Sequence, residues 1–162
     1  MTGRRPARGA AVAVAALALV SVGAGAAAPA SAAAPTPVGV HVTGRTSLVE
    51  VRSATVLVDR GTVRGGPVGS GRISLVYTLW PREAIATTTF TIVNRRGTIS
   101  GRMRSTYAVG RLSITFTGAG RITGGTGAYA GIRSGPLRFA ALHSITGRRE
   151  VLELTGRATF PG

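Results

Sequence analysis

The sequence contains no cysteine and no lysine. Without cysteine, the chain cannot form a disulfide, a thiolate metal site or a cysteine nucleophile. His41 and His143 are its only histidines, and two histidines alone cannot complete a tetrahedral zinc site. We therefore predict no metal site and no cofactor. The absence of lysine also excludes a phosphate-binding loop of the kind that needs Gly-Lys-Ser/Thr.

Acidic side chains are scarce. Five Asp and Glu residues oppose 20 arginines, and the formal net charge is +15. Such an excess favours contact with polyanions, and we predict an anionic cell-wall polymer as one partner. The arginines are dispersed, however, so the alternative is that they only keep the surface soluble. No aromatic residues interleave with them, and we predict no specific nucleic-acid partner.

The first 32 residues have the features of a secretory signal peptide. A basic segment precedes an alanine-rich apolar run, and Ala-Ser-Ala at positions 30–32 fits the small-residue cleavage rule. We predict cleavage after Ala32 and a secreted, extracellular protein; a retained membrane anchor is the alternative. Cleavage would remove three arginines and no acid, which leaves 17 arginines against five acids, a formal net charge of +12.

The rest of the chain is dominated by alternating apolar and polar residues, the pattern of half-buried strands. Residues 33–46, with two prolines, two glycines and no periodicity, are interpreted as a flexible leader. Residues 47–162 are interpreted as one domain. Seven strands are predicted in it, over 47–58, 71–80, 83–94, 97–107, 111–122, 136–146 and 150–160. Short turn signals separate them at 59–61, 65–69, 94–97, 109–110 and 147–149.

An antiparallel sheet of this length solves the problem of its unpaired edges by closing into a barrel. We therefore predict an all-β, closed antiparallel barrel of about eight strands. Strands 71–80 and 83–94 carry apolar residues on both faces, which predicts contact of the outer face with another subunit.

The stretch GRITGGTGAYAGIRSG, Gly120–Gly135, contains six glycines. A dinucleotide-binding loop would be followed by a helix, whereas a Gly-Pro turn and another strand follow here. The glycines are therefore predicted to serve tight bends and the close approach of strands.

Within this stretch, GGTGAYAGIRSG resembles the GGTG-x-aromatic signature of plant dirigent proteins and allene oxide cyclase-like barrels. The matching positions are Gly124, Gly125, Thr126, Gly127, Tyr129 and Gly135. The resemblance is strong over about residues 111–140 and implies an eight-stranded barrel with an interior cavity, often assembled as a homotrimer. The eighth strand would be the glycine-rich arm or part of 38–46. Tyr129, at the aromatic position, would plug or line one end of the barrel.

Candidate cavity residues follow from which strand faces are apolar. Tyr107 and Phe116 are predicted to be interior aromatics, and His143 shares a face with apolar residues. Glu50 and Arg52 are candidates for a polar cavity pair; a solvated surface pair is the alternative. Asp59 and Glu150 are predicted to lie at turns. We find no paired carboxylates at a useful spacing and no nucleophile with its base, so no catalytic residue is predicted.

These observations predict a secreted, non-catalytic barrel that binds a small apolar or amphipathic ligand. One alternative is an isomerase like allene oxide cyclase, or a dirigent-type protein that steers a coupling reaction. The other is a basic cell-surface structural module that binds anionic wall polymers.

Overall fold

The computed structural model describes residues 36–161, so the predicted signal peptide lies outside the described residues. Nine strands follow one another along the chain. They are β1 (Val38–Ser53), β2 (Val56–Gly66), β3 (Gly69–Trp80), β4 (Ile85–Asn94), β5 (Gly97–Val109), β6 (Ser113–Gly125), β7 (Arg133–Ser134), β8 (Leu137–Ser144) and β9 (Arg149–Thr159). A single turn of 3-10 helix, Gly127–Tyr129, lies between β6 and β7. None of the helical structure among these residues is long and apolar enough to cross a membrane.

Eight of the strands form a closed antiparallel barrel, which confirms the predicted fold class. The strands pair in the order β1-β2-β3-β4-β5-β6-β8-β9, and β9 pairs with β1 to close the sheet. The two-residue strand β7 pairs only with the end of β9. The barrel has no free edge along most of its wall, because each long strand has a partner on both sides.

Most side chains in the interior are the apolar residues of the alternating strands. Buried side chains include Val42, Leu75, Phe90, Met103, Phe139 and Leu152. Gly101 shows how closely they pack, since a Cβ at this position would collide with the Phe90 ring. In the predicted strands 97–107 and 111–122, Ile99, Met103 and Phe116 are all buried, as expected for strands with one inward face.

Two predicted boundaries near the N-terminus of the barrel are wrong. Residues 38–46 are not a leader, because they form the first half of β1 and pair with β9 and β2. The predicted strand 47–58 contains a hairpin turn at Ala54–Thr55, where the Thr55 N–H donates to the Ser53 hydroxyl at 3.2 Å. The turn was missed because it contains no Gly, Pro, Asn or Asp.

The predicted turn at Asp59–Gly61 is also wrong, since all three residues lie within β2. Glycine is required at position 61 for the packing of two strands and not for a turn. A Cβ on it would collide with the backbone carbonyl of Arg45, so glycine allows β1 and β2 to approach closely.

The two ends of the barrel differ in composition. One end carries the hairpin turns at 54–55, 81–84, 110–112 and 145–148. We call it the polar end, because buried polar side chains lie near it. The other carries the turns at 67–68 and 95–96 and the glycine-rich segment 126–136, and we call it the closed end.

Candidate binding site at the polar end

The glycine-rich segment builds the closed end. Tyr129 is fully buried there, and its hydroxyl donates to the Val68 carbonyl at 3.1 Å and accepts from Asn94 Nδ2 at 2.8 Å. The Arg96 guanidinium lies 5.2 Å from the centre of the Tyr129 ring, and Phe160 meets the ring edge-on. The segment therefore places an anchored aromatic ring across this end.

Gly125 and Gly127 make this arrangement sterically possible. Gly127 has a φ of 60°, and a Cβ on it would collide with the Arg96 carbonyl. A Cβ on Gly125 would collide with the backbone of Tyr129. Gly124, by contrast, has open space where a Cβ would lie.

Toward the polar end, the interior carries a layer of buried polar side chains, which we call the polar belt. Seven of the eight barrel strands each contribute one residue. The belt consists of Thr46, Asp59, Tyr77, Thr88, Ser105, His143 and Glu150. The exception is β6, whose inward residues at this level are Ile114 and Phe116.

Three residues of the belt bring ionisable atoms together. His143 Nδ1 lies 3.5 Å from Asp59 Oδ2 and 3.8 Å from Glu150 Oε2. Asp59 and Glu150 are each only 1 % exposed, and His143 is 8 % exposed. One potential ligand atom from each residue lies within 4.8 Å of the others. The β-sheet register explains this cluster, because Glu150 on β9 pairs with His143 on β8 and with Thr46 on β1.

Two hydroxyl groups hold the Glu150 carboxylate. The Tyr77 hydroxyl donates to Oε1 at 2.7 Å, and the Thr46 hydroxyl lies 3.4 Å from the same oxygen and 3.4 Å from Asp59 Oδ2. Burial, together with the nearby Glu150 carboxylate, raises the pKa of Tyr77 well above its ordinary value. Tyr77 therefore stays protonated and remains a donor to Glu150.

The surroundings raise the pKa values of the other two groups, Glu150 and His143. Burial raises the pKa of Glu150 to about 7, although the Tyr77 hydrogen bond opposes the increase. The contact with the Asp59 carboxylate raises the pKa of His143, and burial opposes that increase. The cluster can accept hydrogen bonds, exchange protons and hold a cation.

Several polar atoms of the belt have no hydrogen-bond partner. Among the described residues, the buried side-chain atoms without one are Asp59 Oδ1, Thr88 Oγ1, Ser105 Oγ and Glu150 Oε2. All four belong to the polar belt. Buried polar groups in native proteins are normally paired with protein or water, so these four atoms are available to water or to a polar group of a ligand.

Apolar side chains surround the belt on its solvent side. The partly buried residues Leu48, Leu57, Leu79, Tyr107 and Ile114 lie near the hairpin turns of the polar end. Phe116 connects the two layers, since its ring centre is 5.0 Å from that of Tyr77 and 5.9 Å from that of Tyr107. Farther out, exposed apolar residues form a rim that consists of Val49, Val51, Trp80, Val109, Leu112 and Ile145.

The predicted cavity candidates divide into two groups. Phe116 and His143 are buried in the interior at the polar end, and Tyr107 is half-buried beside them. Glu50 and Arg52 instead lie on the outside, where Arg52 Nε donates to Glu50 Oε1 at 3.0 Å and both side chains are about half exposed. They form the surface pair that was the alternative, because β1 extends at this point beyond its pairing with β9.

Sequence reasoning missed Asp59 and Glu150, which lie in β2 and at the start of β9 and not at turns. The expectation of no paired carboxylates was therefore wrong. A signal was present for Glu150, because it alternates in phase with Leu152 and Leu154, both inward. Asp59 was hidden by the apparent Asp-Arg-Gly turn.

The outer wall carries a shallow groove lined by threonine and arginine, among them Arg102, Arg104 and Arg121. Arg102 and Arg121 are directly opposite each other on β5 and β6. Like charges in this position repel each other, and an anionic partner would relieve the repulsion. The expected anionic polymer and the expected homo-oligomer both stay predictions.

Comparisons of the chain with models of protein families, with curated proteins and with solved structures gave no significant match. The similarity to allene oxide cyclase-like barrels therefore stays a prediction.

Proposed function

We propose that this protein is a binding barrel whose polar belt receives the polar group of a small amphipathic molecule. The observation that carries the proposal is the set of four buried polar atoms without hydrogen-bond partners in the belt. In this proposal the protein is exported and binds its ligand outside the cell, in keeping with the signal-like sequence of residues 1–32.

The energetic cost of the belt supports a functional role. Each buried carboxylate loses its hydration, which costs several kcal/mol unless hydrogen bonds or opposite charge replace it. Asp59 and Glu150 are both buried, and each leaves one oxygen without a partner. Apolar residues in these positions would make a more stable barrel, so a binding role accounts for retaining them.

The surroundings of the belt suggest the chemistry of the ligand. The free carboxylate oxygens accept hydrogen bonds, so they suit a hydroxyl or an ammonium group. Tyr77, Phe116 and Tyr107 form an aromatic path from the belt toward solvent. A molecule that enters with its polar group first would lay its hydrocarbon part along these rings and against the apolar rim.

A panel of probes with one hydrocarbon chain and different head groups tests the proposal. Dodecylamine, dodecanol and dodecanoate would each be tested for displacement of an environment-sensitive dye from the chelator-treated protein, with the two ionic probes below their micelle concentrations and dodecanol below its solubility limit. We expect the amine and the alcohol to bind more tightly than the carboxylate, and with little dependence on salt. The excess of arginine would produce the opposite preference if the probes bound to the outer surface.

Two substitutions localise the binding. Tyr107→Ala should weaken amine binding by about 10-fold, because it removes one aromatic ring from contact with the hydrocarbon chain of the probe. Leu142→Ala is the matched control, since Leu142 is next to His143 in sequence but is exposed on the outer face. Equal loss in both variants, or no probe binding at any concentration, would overturn the proposal.

A second candidate function is an isomerase that moves a proton on a bound molecule, as in the resemblance described above. It is favoured by the meeting of two carboxylates and an imidazole inside the barrel. The test is deuterium incorporation from D2O into a panel of medium-chain enolisable ketones, followed by NMR with chelator present. Glu150→Gln should abolish exchange without abolishing ketone binding. Exchange no faster than in buffer would exclude this candidate for those ketones.

A further inference from the structure

We propose that Asp59, His143 and Glu150 form a binding site for a divalent first-row transition metal ion. This inference does not depend on the proposed ligand, because it concerns only these three side chains and a metal. The absence of cysteine and the presence of only two histidines predicted no metal site. Two carboxylates, from strands that are far apart in the sequence, join His143 to make a set of three potential metal ligands.

The distances between the potential ligand atoms suit such an ion. Ligands at about 2.0–2.2 Å from a tetrahedral metal lie about 3.4 Å from one another. The observed separations from His143 Nδ1 are 3.5 Å to Asp59 Oδ2 and 3.8 Å to Glu150 Oε2. One potential ligand atom from each of the three residues lies within 4.8 Å of the others, so the three side chains can approach one ion together.

Two buried carboxylate oxygens are available to a cation. Asp59 and Glu150 are each only 1 % exposed, and neither Asp59 Oδ1 nor Glu150 Oε2 has a hydrogen-bond partner. The simpler arrangement, a protonated histidine bonded to both carboxylates, does not satisfy them. Its contacts of 3.5 and 3.8 Å exceed the usual 2.7–3.2 Å of such hydrogen bonds.

The type of ligand narrows the choice of ion. Imidazole suits zinc, copper, iron and nickel, whereas calcium and magnesium prefer oxygen ligands alone. Two carboxylates and a neutral imidazole carry a charge of about −2, which a divalent ion neutralises. Three protein ligands also leave at least one coordination position open, as in metal sites that bind a further molecule.

Neighbouring hydroxyl groups would orient the ligands. Tyr77 donates to Glu150 Oε1 at 2.7 Å, which leaves Oε2 free to face the ion. Thr46 lies 3.4 Å from Asp59 Oδ2 and 3.4 Å from Glu150 Oε1. Such outer partners fix the direction of metal-binding groups, and Tyr77 acts here as a positioning residue.

Zinc titration of the untagged full-length chain by calorimetry, after removal of metals with chelator, tests the proposal. We expect a single saturable site. His143→Ala and Asp59→Asn should abolish detectable binding, and Tyr77→Phe should weaken it by about 10-fold. His41→Ala is the matched control, because His41 lies 3.0 Å from Glu153 in an exposed pair on the outer wall. This variant should bind zinc like the unmodified protein.

A second measurement avoids dependence on variants that fail to fold. Cobalt(II) added to the unmodified protein should produce visible absorption bands and should shift the imidazole NMR signals of His143 but not those of His41. Absence of binding of zinc, cobalt and manganese would overturn the proposal. Signal shifts confined to His41, or zinc binding lost in His41→Ala, would show a surface site only and would overturn it equally. Failure of the amphipathic probes would leave this result unaffected, because those probes are measured with chelator present.

Discussion

The two ends of the barrel satisfy their buried polar groups differently. At the closed end, the Tyr129 hydroxyl and the Asn94 amide bond to each other and to the Val68 carbonyl, and Asn94 Oδ1 accepts from the Arg96 N–H. At the polar end, two carboxylate oxygens and two hydroxyls remain without partners. The polar groups of the closed end therefore satisfy one another, whereas the polar end keeps buried oxygen atoms that are available to water or to a ligand.

The largest expected effect of a single change lies at the closed end, in Tyr129→Ala. Loss of a fully buried aromatic side chain leaves a cavity, and we expect destabilisation of about 3–5 kcal/mol. Tyr129→Phe separates the ring from its hydroxyl and should cost only about 1 kcal/mol, because Asn94 still donates to Val68. Chemical denaturation of both variants measures the difference. Equal, small effects would mean that the ring does not hold this end.

Gly125→Val should destabilise the barrel by roughly 3 kcal/mol or more, because the new side chain would displace the Tyr129 backbone. Gly127→Val should be comparably harmful, since a β-branched residue disfavours a φ of 60°. Gly124→Val is the matched control, because Gly124 lies in the same strand with open space beside it. A thermal melt that ranks Gly124→Val with the other two would contradict this account of the glycine-rich corner.

At the closed end, loss of the native residue should destabilise the barrel. At the polar end, the native residue Glu150 should itself destabilise the barrel when its buried carboxyl is ionised. The pKa of Glu150 is raised from 4.5 to about 7 in the folded protein. The folded state therefore holds more protons than the unfolded state in this range, and stability falls as pH rises. His143 acts in the same direction, since its raised pKa gives stability below about 6.5 that is lost at higher pH.

Glu150→Gln tests this pH dependence. For Glu150 alone, the expected loss of stability between about pH 5 and pH 8 is on the order of 2–3 kcal/mol in the metal-free protein. Glutamine keeps an acceptor for Tyr77 but cannot ionise, so the variant should lack most of this slope and be more stable than the unmodified protein at the higher pH. The measurement is urea denaturation at several pH values with chelator present. Parallel pH profiles for the two proteins would contradict it.

The difference between the closed end and the polar end also explains what could be predicted from the sequence. The closed end is built from one continuous segment, so its glycines and Tyr129 stand together in the sequence. The barrel was predictable too, because alternation over each strand is a local signal. The polar belt is not local: Thr46 and Glu150 are 104 residues apart and meet only through the pairing of β1 with β9.

Two physical details concealed the belt further. Asp59 precedes Arg-Gly, a turn-like sequence, although Gly61 serves strand approach and the turn lies earlier, at Ala54–Thr55. Isolated charged residues are also rarely buried, so surface positions were the reasonable expectation for Asp59 and Glu150. The β8–β9 hairpin places Glu150 beside His143, and only the closure of the sheet through β9 and β1 brings Asp59 of β2 to them.

The smallest expected effect concerns Glu50 and Arg52, the pair that the sequence offered as a cavity candidate. Breaking a buried ion pair by removing one partner costs about 3–5 kcal/mol, whereas an exposed pair contributes about 0–1 kcal/mol. Both side chains are about half exposed, so Arg52→Ala should change the free energy of unfolding by less than about 0.5 kcal/mol. The melting temperature should move by no more than about 2 °C, and the difference should shrink in high salt. A loss of several kcal/mol would mean that the hairpin carrying the pair is buried in the working protein, for example against another subunit.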